Sequence, residues 1–148
     1  MQNVINRIFI ISMLATFTVG CVENDYSDIS QTSEYQSLIG KNFTLMENVW
    51  ATGITTDQNY KGEASHIVLV PEPGFEGPEV VFRNLIEKGD QISVTKVLLR
   101  KSLLKNSIYY ELSFNSGKRF DIPVLVKMTE TIDTSSYGLN SDVYMISK

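Results

Sequence analysis

The sequence predicts a mainly β protein: a small antiparallel β-barrel or a β-sandwich, preceded by a flexible tether. Between residues 37 and 148, short segments rich in β-branched and aromatic residues alternate with turn residues, a spacing typical of small all-β domains. The clearest segment, "IYYELSF", alternates apolar and polar side chains, as a strand with one buried face does. The chain has a single cysteine, so no internal disulfide can form and the fold must depend on its core.

The predicted elements follow the chain in order. A short helical turn is expected in "SEYQSLIG", and the candidate strands are 42–46, 49–54, 66–70, 79–82, 91–99, 108–114, a segment containing Ile122, Val124 and Val126, and 143–147. Within 91–99 the apolar residues change parity between Val94 and Val97, which predicts a bulge. Pro123 has no N–H for a ladder, so its strand is expected at a sheet edge or next to a bulge.

The first twenty residues have the layout of a secretory signal peptide. Arg7 gives a positive start, residues 8–19 are uncharged and mostly apolar, and Gly20 and Cys21 follow. Twelve such residues in a helix rise about 18 Å, well short of the roughly 30 Å hydrocarbon core. A permanent transmembrane span is therefore not expected.

The run Thr18-Val19-Gly20-Cys21 resembles the lipobox of bacterial lipoproteins. The resemblance implies that lipid is attached to the Cys21 thiol, that residues 1–20 are removed, and that a further acyl chain such as palmitate is added. Several acyl chains, at about 0.8 kcal/mol per buried methylene, hold a protein at a membrane essentially permanently. Thr18 departs from the leucine that the family prefers. The alternative is a free cysteine in an ordinary signal peptide.

Val22 bears on localisation, again through the resemblance. In bacterial lipoproteins, aspartate after the lipidated cysteine tends to retain the protein in the inner membrane. Val22 therefore favours the outer membrane, facing the periplasm, in an organism with two membranes.

Residues 21–36 are expected to be the lipidated cysteine and an acidic, flexible tether. From Val22 to Gln36 the chain has four acidic residues, no basic ones and few core residues, which favours an extended, solvated segment reaching at most about 50 Å. Residues 37–148 are expected to form one β domain. Segments 38–128 resemble the small Src-homology-three-like barrels of bacterial envelope proteins; an immunoglobulin-like sandwich is the alternative.

The residues offer no recognisable catalytic or metal site. Ser65 precedes the single histidine, His66, but adjacent side chains on an extended segment point to opposite faces. A zinc site is not expected, because the chain has too few histidines and free thiols to supply its ligands. A calcium site of the EF-hand type beginning at "DQNYKGE" is not expected either, because Lys61 and Val68 stand at positions five and twelve, where oxygen ligands are needed. We expect a non-enzymatic protein with no cofactor, and the net charge of −4 argues against nucleic acid as a partner.

Two features are candidate binding surfaces. "VPEPGFEGPEV" (70–80) has three prolines and two glycines and is expected to hold Phe75 on a stiff loop, where an aromatic can anchor an interface. Between residues 94 and 127 seven basic residues oppose two acidic ones, and Arg100 and Lys101 in this stretch are candidate contacts for an anionic partner. Alternatively, Phe75 is a core lid and the charges interleave and cancel.

These observations predict a lipid-anchored envelope protein whose β domain binds another protein or a cell-wall component. A narrower alternative is an inhibitor or immunity lipoprotein that plugs the active site of a toxin or lysozyme. A third alternative is a cell-wall hydrolase using carboxylates that the sequence does not identify.

Overall fold

A computed structural model describes residues 26–102, 104–129 and 137–147. They form one open sheet of nine strands and a short 3-10 helix at Gln36–Leu38, which confirms the mainly β prediction. The strands are β1 (Tyr26–Asp28), β2 (Asn42–Leu45), β3 (Val49–Ile54), β4 (His66–Pro71), β5 (Val80–Ile86), β6 (Gln91–Arg100), β7 (Ser107–Phe114), β8 (Val124–Lys127) and β9 (Tyr144–Ile146). The predicted signal peptide (1–20) and Cys21 lie outside the described residues.

The strand order is that of an open sheet, so neither the predicted antiparallel barrel nor the predicted sandwich is confirmed. Neighbouring strands follow the order β5-β3-β4-β8-β7-β6-β2-β9, and β1 also pairs with β6. Within the described ranges β5 and β9 end this ladder, so the sheet is open. The β4–β8 pair is parallel, whereas the other pairs are antiparallel. Among the residues described, no helix combines the length and apolar character needed to cross a bilayer.

The open sheet curls around a single hydrophobic core. The core contains Phe43 from β2, near one end of the strand order, and Val49 from β3, near the other. Short turns at 46–48 and 87–90 join the two ends of the sheet. At this corner the N–H of Gly89 donates to the Leu45 carbonyl at 2.8 Å. Both ends of the sheet therefore pack against the same interior.

The bulge predicted in the sixth strand is confirmed. The pairing of β6 with β7 shifts register between Val94 and Lys96, and the extra residue, Thr95, bonds through its hydroxyl to the Glu111 carbonyl at 3.0 Å. Because the bulge adds one residue, both Val94 and Val97 face the core and are at most 2% exposed.

The predicted tether is wrong for residues 26–36, which are folded against the sheet. β1 pairs with the last three residues of β6, beyond the part of β6 that pairs with β2. The chain continues along this edge, where the N–H of Ile29 donates to the Val97 carbonyl at 2.9 Å and the N–H of Val97 donates to Ser30 Oγ at 2.9 Å. Tyr35 is only 8% exposed. These hydrogen bonds and the buried Tyr35 side chain hold the segment against the domain.

The prediction of an edge position for the strand at Pro123 is also wrong. β8 lies inside the sheet, between β4 and β7. Pro123 directly precedes β8, and its carbonyl accepts a hydrogen bond of 2.8 Å from the N–H of Ile67. Since the proline stands before the strand, its missing N–H breaks no ladder bond within β8.

Candidate functional site: a groove on the outer face of the sheet

The face of the sheet opposite the core, called the outer face below, carries a group of apolar residues. Registers place Val68, Leu125, Tyr109 and Leu98 on this face, in neighbouring strands. Leu98 is 8% exposed and Leu125 is 2% exposed, yet neither belongs to the main core cluster. A solvated outer face would carry polar residues at such positions. Something on this face therefore covers Leu98 and Leu125.

Tyr26 of β1 provides part of this cover. Its ring meets the ring of Tyr109 edge-on at a centroid distance of 5.5 Å and the His66 imidazole at 6.3 Å. The Arg100 guanidinium lies over the Tyr26 ring at 6.0 Å. Because β1 pairs with β6 while His66 belongs to β4, the sheet must curve to bring these groups together. The outer face is therefore hollow at this end.

Two adjoining depressions occupy this hollow, and we call them together the outer groove. One has a volume of about 280 Å³, the other about 340 Å³, and both are lined by Tyr26 and His66. The smaller depression is also lined by Phe75, Glu79, Arg100, Tyr109 and Lys127. The larger has Leu98 and Leu125 in its lining, together with Glu111 and Pro123. The groove thus combines aromatic rings with two cationic side chains.

The structure brings two of the sequence-predicted binding residues together. Phe75 and Arg100 are separated along the chain, but both line the smaller depression. Phe75 remains 36% exposed, so it is not a core lid. Lys101 is exposed one residue beyond the end of β6, and Cys21 lies outside the described residues.

Among the lining residues that the sequence does not predict as contacts are Tyr26, His66, Tyr109 and Lys127. Tyr26 falls within the predicted tether, and the sequence predicts no binding role for His66. The aromatic residues among the acids of residues 22–36 were the available signal for Tyr26. No local signal identified the others, because their proximity depends on the curvature of the sheet.

The loop that carries Phe75 is braced by Arg83. The Arg83 guanidinium stacks over the Trp50 ring at 4.4 Å, and its Nη2 donates to the Pro73 carbonyl at 2.8 Å. Gly74 has a φ of +79°, and a Cβ there would lie 2.6 Å from Arg83 Nη2, so only glycine fits without displacing the arginine. These contacts tie the loop that carries Phe75 to β3 and β5.

The basic stretch of residues 94–127 does not form one patch. Lys96 pairs with Glu111 at 3.1 Å, and Lys118 pairs with Asp90. Arg100 and Lys127 line the groove. The predicted charge asymmetry is therefore divided, and part of it is neutralised by neighbouring acids.

Burial and charge also set the ionisation of the groove. Burial lowers the pKa of His66 below its ordinary value of 6.5, and the positive charge of Arg100 lowers it further. Burial raises the pKa of Tyr26 above 10.0, Tyr109 adds to this increase, and Arg100 opposes it. At neutral pH His66 is therefore uncharged, and the cationic groups of the smaller depression are Arg100 and Lys127.

The expectation that Ser65 and His66 point apart is wrong. Ser65 Oγ lies 3.0 Å from His66 Nδ1, because Ser65 precedes β4 and strand alternation does not apply to it. Ser65 Oγ also donates to the Ile54 carbonyl at 3.1 Å. Which of Oγ and Nδ1 donates in the bond between the two side chains depends on the tautomer of the imidazole.

The segment 57–63 forms a turn held by Asp57. Its carboxylate accepts from the N–H of Lys61 at 2.8 Å, and its carbonyl accepts from the N–H of Tyr60 at 3.0 Å. Across the ranges that the structure describes, no group of three or more His, Cys, Asp or Glu residues is placed to hold a metal ion. Asp57 acts here as a turn residue.

No protein-family model, curated protein or solved structure matches this chain. The geometry of the outer groove therefore carries the functional interpretation. Its aromatic rings offer apolar contact area at low entropic cost, and its two cations attract carboxylates or other anions. The groove is suited to binding, with an acidic and partly apolar segment as the complementary ligand.

Proposed function

We propose that this chain is a lipid-anchored, non-enzymatic protein of the bacterial cell envelope whose β domain binds another protein through the outer groove. The observation that carries the proposal is the meeting of Phe75 and Arg100 in one depression. The two residues were selected independently, one for a stiff loop and the other for charge. Their convergence is the arrangement expected of a contact surface.

The composition of the groove favours a protein over a cell-wall polymer. Protein interfaces concentrate their binding energy in tyrosine, tryptophan and arginine residues that fill or line pockets. The smaller depression has Tyr26, Tyr109 and Arg100 in its lining, and the Arg83–Trp50 stack braces the loop beside it. An acidic side chain next to an apolar one on the partner would contact Arg100 and Phe75 together.

The anchor is proposed from the lipobox resemblance around Cys21. The signal peptide (1–20) is removed, and lipid on Cys21 retains the domain at the membrane. Val22 favours the outer membrane, facing the periplasm, where the organism has two membranes. The Src-homology-three-like resemblance remains a prediction, and the proposed function does not depend on it.

A pull-down from envelope extracts tests the groove. Phe75→Ala and Arg100→Glu are each expected to reduce capture of the same partner about tenfold or more, as hot-spot changes do. The matched controls are Met145→Ala, an exposed apolar residue of β9, and Lys88→Glu, an exposed lysine of the β5–β6 turn. If neither groove variant changes what is captured, the groove is the wrong surface.

A second arm of this experiment separates the two ligand classes. Purified cell-wall sacculi replace the extract, and bound protein is measured after sedimentation. Retention on sacculi that depends on Phe75 and Arg100, without a captured protein, would replace the protein partner by the cell-wall component. Release of soluble sugar fragments during this incubation would instead support the hydrolase alternative.

Metabolic labelling with radioactive palmitate tests the anchor. The wild-type protein is expected to carry the label and to fractionate with membranes, whereas Cys21→Ser is expected to lose the label. Equal labelling of both proteins, or a wild type found entirely in the soluble fraction, would refute the anchor.

The fixed presentation of Phe75 favours one second candidate function, inhibition of an enzyme. An inhibitor loop has to hold its shape while it blocks an active site, and the Arg83 brace supplies such a restraint. The readout is lysozyme or toxin activity titrated with this protein. Inhibition that disappears in Phe75→Ala would establish this narrower function.

A further inference from the structure

The loop between β6 and β7 carries an apolar side chain that nothing covers. Leu104 is 98% exposed, whereas the other exposed large hydrophobic residues in the described ranges are 36% to 53% exposed. Lys101 and Lys105, both exposed, stand on either side of it in the chain. Ser102 Oγ donates to the Lys105 carbonyl at 2.7 Å and accepts from the Lys105 N–H at 3.1 Å. These bonds close a turn that has Leu104 on it.

This loop lies where the chain enters the sheet from the direction of Cys21. Tyr26, the first described residue, pairs with Arg100, which immediately precedes the loop. Five residues lead from Cys21 to Tyr26, and they can span at most about 18 Å. A lipid on Cys21 would therefore hold Lys101, Leu104 and Lys105 close to the bilayer surface.

We propose that Lys101, Leu104 and Lys105 contact an anionic lipid surface and fix the orientation of the domain on the membrane. This proposal rests on the proposed anchor at Cys21. The leucine enters the boundary between headgroups and acyl chains, while the two ammonium groups pair with lipid phosphates. Loss of each lysine is expected to weaken the loop's contact with anionic lipid by roughly fivefold.

Charge and side-chain distribution favour lipid over a protein partner at this loop. A fully exposed leucine between two exposed lysines offers little shape for a protein to recognise. Anionic headgroups need no such shape, because they bind cations by charge and accept an apolar tip by insertion. If the loop binds a protein and not lipid, the following experiment will show no quenching at position 104.

The experiment uses the full, lipidated protein carrying Leu104→Cys. Since Cys21 is the single cysteine of the natural chain and its thiol would carry the lipid, the new thiol can be labelled alone with an environment-sensitive fluorophore. The protein is reconstituted into phosphatidylethanolamine–phosphatidylglycerol vesicles, and a second sample into phosphatidylcholine vesicles. In anionic vesicles we expect a blue shift and quenching by nitroxide-bearing lipids, both reduced several-fold in phosphatidylcholine.

Matched positions and charges control the measurement. Labels at Met145→Cys and Val81→Cys, both exposed positions on other strands, are expected to remain unquenched. Lys101→Glu with Lys105→Glu is expected to lower quenching at position 104 by an order of magnitude or more, following the per-lysine effect above. The control pair Lys61→Glu with Lys88→Glu, exposed lysines of other loops, is expected to leave it unchanged.

Flotation on a density gradient distinguishes failure of the anchor from failure of the loop. If the protein floats with the vesicles and position 104 is not quenched, the anchor holds and the loop proposal is overturned. If the protein does not float, the anchor fails. The loop is then judged with the Cys21→Ser protein at saturating anionic vesicles, where absence of quenching at position 104 also overturns it.

Discussion

The two faces of the sheet differ in how completely they are packed. On the core face, Phe43, Val49 and Tyr110 are fully buried, and every strand from β2 to β9 contributes to one cluster. On the outer face, Thr52, Leu98 and Leu125 are buried, and an open groove with aromatic and cationic walls lies beside the two leucines. Close packing of side chains stabilises a fold, whereas an apolar surface that is only partly covered is available to a ligand. The core face therefore supplies the stability of the fold, and under the proposed function the outer face supplies the binding surface.

Truncation of one buried residue on each face gives the largest expected effect. Phe43→Ala should reduce the free energy of unfolding by about 3–5 kcal/mol, because it leaves a closed cavity. Leu98→Ala should cost about 2 kcal/mol, the lower end for leucine, because the neighbouring groove admits solvent. Urea denaturation of both variants measures the difference. Equal losses would mean that the two faces are packed alike.

Removal of the Arg83 brace is expected to have a smaller effect, confined to the outer face. Arg83→Ala deletes the stack on Trp50 and the bond to the Pro73 carbonyl, contributions of about 1 kcal/mol each at partly exposed sites. Amide exchange in residues 72–79 should accelerate while exchange in β6 and β7 stays unchanged. Glu87→Gln, at an exposed position of the β5–β6 turn outside this loop, is the control. If amide exchange accelerated throughout the domain, the loop and the core would be opening together as one cooperative unit.

Protonation of His66 gives the smallest expected effect. Because the folded-state pKa of His66 lies below 6.5, the unfolded chain takes up its proton first as the pH falls. The contribution of neutral His66 to the free energy of unfolding is therefore fully present above pH 6.5, and it decreases as the pH falls from 6.5 toward the folded-state pKa. Urea midpoints at pH 7.5 and 5.5 should differ for the wild type and differ less for His66→Gln.

The single imidazole also reports on Arg100. NMR titration of His66 in Arg100→Gln should give a pKa closer to 6.5, since one of the two causes of the shift is removed. An unchanged value would mean that burial alone sets the pKa.

The side chains that face the core could be predicted from the sequence, because the local alternation of apolar and polar residues identifies them. Alternation in "IYYELSF" placed Tyr110, Leu112 and Phe114 on the buried side, and the parity change in β6 located its bulge. Both signals need only the neighbouring residues. They depend on the strand pleat and not on the topology.

The groove could not be read in the same way. Tyr26, His66 and Arg100 come from β1, β4 and β6, and only the pairing of distant strands and the curvature of the sheet bring them together. The low apolar content of residues 22–36 also concealed β1, whose three residues offer no periodicity. Phe75 and Arg100 were identifiable because loop composition and charge mark exposed residues without reference to topology.

The pairing of β1 with β6 has a consequence for the order in which the chain folds. Seventy residues separate Asp28 from its partner Leu98, so β1 has no strand to pair with until β6 is available. If the chain is exported and lipidated as proposed, a lipid-transferring enzyme would meet Cys21 while β1 is still unpaired. Late closure of this ladder would thus leave time for the covalent modification before the N-terminal segment becomes part of the sheet.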